Sequence, residues 1–145
     1  MTGMPIGKLA KATGVKVPTI RFYEQIGLLP EPERTASDRR SYGEGDHRRL
    51  AFIRHARQLG FSVDAIRDLL RLSDNPDRSC QQANQLAADQ LRTVEAKIRQ
   101  LDSLRVELAR MVDAACRGQA GECRVIEALR DHSLCEHPHT HALAL

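Results

Sequence analysis

The chain has 145 residues, of which 41% are apolar and 28% charged, and a net charge of +3. That length suits one ordinary domain or two small ones and excludes large enzyme architectures, since a TIM barrel needs about 250 residues. No run of about 18 apolar residues occurs, which excludes a transmembrane helix. Positions 1–10 lack the apolar centre of a signal peptide, so a cytoplasmic location with no membrane partner is expected.

Charge and aromatic residues are unevenly placed. Residues 1–74 hold 13 Lys/Arg against 9 Asp/Glu, a net of +4, and residues 75–145 hold 9 against 10, a net of −1. A basic first half suggests a polyanion partner; a solvated surface is the plainer alternative. The aromatic residues Phe22, Tyr23, Tyr42, Phe52 and Phe61 all lie in that half, so the second half must bury itself with aliphatic side chains.

In chain order, Pro5 to Thr13 reads as a short helix stopped by Gly14. Val15 to Val17 form a turn, and Pro18 opens a second helix that runs to about Ile26 and stops at Gly27. Two short helices joined by such a turn make a helix-turn-helix pattern. Residues 30–43 are rich in Pro, Arg, Ser and Asp and suit a β-hairpin wing with Arg40 to Tyr42 as one strand. Residues 44–59 are helical, with Leu50, Ile53 and Ala56 among the apolar positions. Ser62 caps another helix, whose apolar face includes Ile66, Leu69 and Leu70. Asn75-Pro76 ends it.

The longest element follows. Ser79 and Gln82 have capping-box spacing, and no Gly or Pro appears until Gly118. The expected helix has about 36 residues and spans about 54 Å. Ala87, Leu91, Val94, Ile98, Leu101, Leu108, Val112 and Ala115 repeat with heptad spacing, flanked by Leu104 and Met111, as in a coiled-coil seam. Asn84 and Arg105 are polar interruptions of that seam. An identical helix from a second copy is the simplest cover, so a homodimer is expected. The alternative is a helix folded back on its own N-terminal part.

Cys80, Cys116, Cys123 and Cys135 all lie in the second half. In a reducing compartment such cysteines suggest metal or redox chemistry rather than disulfides. Cys116 and Cys123 bracket a glycine-bearing loop of six residues, short enough to bring two thiolates within about 4 Å on one soft ion. Cys80 opens the long helix that Cys116 closes, so it cannot join that ion within one chain. It can do so if two long helices run antiparallel, and it would sit at a helix N-terminus, where the dipole favours anions. An incidental thiol is the alternative. The tail residues Cys135, His137, His139 and His141 are borderline-metal ligands: they could complete the shell, form a second site, or be merely solvated. On the basic side, Arg21 and Tyr23 fall near the middle of the second helix, Arg39, Arg40 and Tyr42 on the wing, and Arg54 and Arg57 on the next helix. All are candidates for DNA contact. Phe22 or Tyr23 could equally be core.

These residues carry a resemblance. Ile6-Gly7-Lys8-Leu9-Ala10, Thr19-Ile20-Arg21-Phe22-Tyr23-Glu24, Gly27-Leu28-Leu29-Pro30, Arg40-Ser41-Tyr42, Phe52-Ile53-Arg54 and Leu59-Gly60-Phe61 resemble the MerR family of metal-responsive transcription regulators over nearly the whole chain. The resemblance implies a mainly α protein. It would have a winged helix-turn-helix DNA-binding domain at 1–74 and a dimerisation helix at 75–115 in an antiparallel coiled coil. A metal-binding loop and short helix at 116–131 and a Cys/His tail at 132–145 would complete it. It implies DNA contacts at Arg21, Tyr23, Arg40, Tyr42 and Arg57, with Lys16 and Thr19 as further candidates, and metal ligation by Cys80, Cys116 and Cys123. It also implies an operator between two overspaced promoter elements, distorted by the metal-bound dimer so that RNA polymerase can engage. Family sensors of monovalent ions carry Ser in place of Cys80. The six-residue loop and Ala115 before Cys116 look most like the cadmium/lead branch, so Cd or Pb is expected first, Zn next and Hg third. The wing lacks the glycine often found at its turn. The competing readings are a redox sensor using thiols or an iron–sulfur cluster, and a small-molecule regulator. No nucleophile–base arrangement is readable, so an enzyme is not expected.

Overall fold

The computed structural model describes residues 3–114 and 118–134. The chain divides into two units, Met1–Leu86 and Ala87–Leu145.

In the first unit, helix α1 (Ile6–Thr13) starts at Pro5, whose carbonyl accepts the Lys8 and Leu9 amides. It stops at Gly14, where φ is 74° and the amide returns to the Ala10 carbonyl at 2.8 Å. That left-handed turn is the usual reason for glycine after a helix. Helix α2 (Val17–Gln25) carries Pro18 in its first turn, where its missing N–H has no partner to lose. Strands β1 (Glu33–Arg34) and β2 (Arg40–Ser41) pair antiparallel, with Glu33 opposite Ser41 and Arg34 opposite Arg40. Asp38, at φ 60°, turns the wing in the place where a glycine is missing; a short polar side chain tolerates that conformation. Met4 bridges to Tyr42, with amide–carbonyl bonds of 2.7 and 2.8 Å, and so ties the N-terminal segment to the wing base.

Helix α3 (Glu44–Gln58) begins at Gly43, whose amide donates to Asp46 Oδ2 at 2.9 Å. Helix α4 (Val63–Ser73) begins at Ser62, whose hydroxyl accepts the Ala65 amide at 3.1 Å, as its residue type leads one to expect. The four helices close on Leu9, Ile20, Leu28, Leu29, Leu50, Ile53 and Ile66, all essentially inaccessible, with Val15, Tyr23, Tyr42, Ala56 and Leu70 around them. Each such aliphatic side chain contributes about 1.5–3 kcal/mol on burial.

Arginines finish the helix ends. The last carbonyls of a helix have no partner inside it. Arg54 Nη1 donates to the Thr13 carbonyl and Arg67 Nη2 to that of Ile26, each at 2.8 Å, and Arg49 Nε donates to the carbonyl of Leu28, in the loop after α2, also at 2.8 Å. Arg49 also reaches both Asp74 carboxylate oxygens, at 3.1 and 3.2 Å. Part of the positive charge that the composition offers to a polyanion is therefore used inside the fold.

Helix α5 (Gln81–Asp113) has 33 residues, slightly fewer than the sequence suggests. Cys80 rather than Ser79 takes the position before its first turn. The Cys80 carbonyl accepts the Asn84 amide at 3.0 Å, and Ser79 Oγ accepts the Gln81 amide at 3.2 Å instead of closing a capping box with Gln82. In the second unit, α5 is followed by a 3₁₀ turn (Ala120–Glu122), helix α6 (Arg124–Arg130) and a second 3₁₀ turn (His132–Leu134). Ala128 of α6 is buried, and so is Glu107 of α5, which pairs with Arg110 at 3.3 Å. Leu91, Ile98, Leu101, Leu108 and Val112, the heptad residues, are exposed in the single chain. Arg105, the polar member of that stripe, pairs with Asp102 one turn earlier.

Candidate nucleic-acid interface and thiol sites

Helix α2 sorts its residues by helical spacing. Ile20 and Tyr23, three apart, face the core; Arg21 and Phe22 between them face outward and are exposed. Lys16, just before the helix, is exposed, and Thr19 is half-buried. The phenyl ring of Phe22 lies 6.0 Å from that of Tyr23, tilted by 47°. Phe22 was not among the expected contacts, although the inward pairing of Ile20 with Tyr23 already turns it to the surface.

The wing supplies the second group. Arg39 is exposed and Arg40 half-buried, and Arg34 on the opposite strand donates Nη1 to the Asp38 carbonyl at 3.0 Å. A cleft of about 400 Å³ opens between α2 and the wing, lined by Arg21, Glu24, Gln25, Glu31, Arg34 and Arg40. Guanidinium groups from three separate elements border it. Such a surface suits phosphate oxygens, which Arg engages with paired donors.

Two expected surface contacts lie inward instead. Tyr42 is only 1% exposed, and its hydroxyl donates to Glu24 Oε1. Burial, and then the carboxylate beside it, holds its hydroxyl pKa well above the usual phenol value. Tyr23 is also buried. Both aromatic rings complete the small core because it has few other large residues. On α3, Arg54 and Arg57 remain at the surface but hold carbonyls, Arg54 that of Thr13 and Arg57 that of Phe61, each at 2.8 Å. Glu24 and Arg34 were missed by sequence reasoning, because nothing local marks an acid on α2 as the partner of two wing residues.

Among the thiols, Cys80 is exposed and unpaired at the start of α5. Cys123 is unpaired and partly exposed at the start of α6, where its carbonyl accepts the Glu127 amide at 3.0 Å. Gly118, at φ 92°, makes the turn ahead of it. The two thiols fall in different units. Cys116, Cys135, His137, His139 and His141 lie outside the described residues. Among the described residues, no group of three His, Cys, Asp or Glu side chains gathers to hold a metal. The donor chemistry of Cys80 and Cys123, two unoxidised sulfurs at the surface, fits a soft metal ion. Among the described residues no helix is long and apolar enough to cross a membrane.

Comparison with known proteins adds a lineage. The model of MerR helix-turn-helix regulatory proteins matches residues 4–73, and that of MerR DNA-binding segments matches residues 47–111. The transcriptional regulator ZntR of Escherichia coli K12 is 43% identical over 128 residues, covering 86% of this chain and 90% of that one. The mercuric resistance operon regulatory protein of Serratia marcescens is 41% identical over 132 residues, covering 90% of each chain. The crystal structure of the regulator PbrR691 from Ralstonia metallidurans CH34 in complex with lead(II) superposes with a TM-score of 0.75 at 37% identity. It covers 87% of this chain and 98% of that one.

Proposed function

The chain belongs to the MerR family of DNA-binding transcription regulators, and from that premise we propose that it is a metal-switched activator of promoter transcription in the cytoplasm. Membership makes it a regulator that binds promoter DNA and not an enzyme. The finer reading concerns the signal. The inducer is a soft divalent ion: Cd(II) or Pb(II) first, Zn(II) next and Hg(II) third. Relatives named for mercuric resistance or solved with lead(II) support a metal signal.

The observation that carries the reading is the placement of the two described thiols. Each is unpaired and stands at the start of a helix, one on either side of the 33-residue α5. A helix of that length spans about 50 Å, so its two ends cannot serve one ion within a chain. In a head-to-tail homodimer, Cys80 of one protomer meets Cys116 and Cys123 of the other. The exposed Leu91–Val112 stripe is the surface that such a dimer covers. A bound ion would supply a cross-link between protomers. The protein's own residues do the rest: Lys16, Thr19, Arg21, Arg39 and Arg40 grip the operator, and the altered dimer distorts it to align the promoter for RNA polymerase. Cys135, His137, His139 and His141 of the tail are the candidates for a second metal site.

The test is complementation. Cys80→Ser and Cys116→Ser proteins, each inactive alone in Cd(II)-stimulated transcription, regain response when mixed, because half of the heterodimer sites are intact. A mixture that stays silent while both variants still bind DNA defeats the shared site. Competitive titration with Cd(II), Pb(II), Zn(II), Hg(II) and Cu(I), read by transcription, ranks the ions.

A further inference from the structure

The carboxylate of Glu24 sits where α2 meets the wing, with its side chain only 9% exposed. Two wing residues reach it. The Tyr42 hydroxyl donates to Oε1 from within the core, which fastens the wing base to α2. Arg40 places Nε 3.4 Å from Oε2, and its side chain remains one-third exposed. A guanidinium is a rigid planar fork with five donors. Fixing its Nε edge on a buried acid also fixes the direction of its Nη edge, and Arg40 borders the cleft of about 400 Å³ that Arg21 and Arg34 also line. Arg34 stands opposite Arg40 in the wing register, so the two strands present their arginines side by side. Gln25 and Glu31 complete the lining, so three guanidinium groups share the cleft with the carboxylates of Glu24 and Glu31.

We propose that Glu24 is a positioning residue for DNA binding: it aims Arg40 into the cleft, where Arg40, Arg34 and Arg21 take one backbone phosphate. The sign of the effect separates this from a simple field. A carboxylate near DNA repels phosphate, so a residue acting by charge alone would, when neutralised, tighten binding. A positioning carboxylate does the reverse.

The experiment measures binding of the full-length protein to a fluorescein-labelled random-sequence duplex across a KCl series. Phosphate contacts carry no sequence information, so this probe reads them directly. Glu24→Gln keeps an acceptor for Tyr42 but loses the charge that holds Arg40. It lowers the slope of log K against log salt by about 0.9 for each wing engaged, and weakens binding about fivefold per wing near 0.15 M salt. Arg40→Ala does the same, and the double variant is no weaker than Arg40→Ala alone. Tighter binding by Glu24→Gln, or losses that multiply in the double variant, overturns the proposal. Tyr42→Phe removes the other arm and leaves the Glu24–Arg40 pair, so it keeps the wild-type slope. A slope loss equal to that of Glu24→Gln at a matched fall in melting temperature assigns the effect to stability and also overturns it.

Discussion

Replacing Arg54 by Met tests whether this arginine serves the fold or the DNA. The substitution keeps the apolar stem and removes the guanidinium. In the structure, Nη1 donates to the Thr13 carbonyl at 2.8 Å, across 41 residues of sequence, at the end of α1. A hydrogen bond from a charged donor contributes about 1.5 kcal/mol or somewhat more. For a unit of this size each kcal/mol moves the melting temperature by about 4–8 °C, so the variant should melt about 6–12 °C below wild type. Differential scanning calorimetry measures that shift, and the KCl dependence of duplex binding measures phosphate contacts in the same samples. The expected result is a lower melting temperature with the salt slope unchanged. A melting temperature within about 2 °C of wild type, with a slope smaller by about 0.9 per subunit bound, would place the guanidinium on a phosphate and refute the capping argument.

Three further outcomes follow from neighbouring geometry. Gly14→Ala should destabilise by about 2 kcal/mol, because an L residue is strained in the left-handed region and the added Cβ would lie 2.7 Å from Arg54 Nη1. Combined with Arg54→Met it should lose less than the sum of the two, which urea unfolding of the double variant checks. Tyr42 has a raised folded-state pKa, so its contribution to stability is complete below the ordinary phenol value of about 10 and declines as pH rises above it. Tyr42→Phe should remove that alkaline decline in unfolding free energy; an unchanged decline assigns it to other groups. Leu101→Asp places a charge on the exposed apolar stripe of α5. Sedimentation should then show monomer with an intact first unit, and a variant that still sediments as wild type rules that stripe out as the dimer seam.

Local punctuation made most of the secondary structure readable from the chain. Gly14, Gly27 and Gly60 reach the positive φ that ends a helix, Pro18 fixes its own φ and Ser62 caps with its hydroxyl, and the helices stop or start within a residue or two of these positions. The apolar stripe of α5 was equally legible, since seven-residue spacing is a property of the sequence alone, and its residues stand exposed on the helix. The cysteine pattern pointed to soft-metal chemistry for the same reason: thiol identity and loop length need no partner to be seen.

Only the tertiary structure decided which way the functional candidates among the described residues face. Tyr42 and Arg40 are two residues apart in the wing, and both meet Glu24, yet one is buried with its hydroxyl bonded and the other extends to solvent. Arg39 is exposed, while Arg54, equally basic in the sequence, is tied to a carbonyl 41 positions away. Charge and residue type are written locally. Whether a guanidinium meets a phosphate or a helix end depends on which carbonyls the packed chain leaves without partners, and that is a property of contacts between elements far apart in sequence.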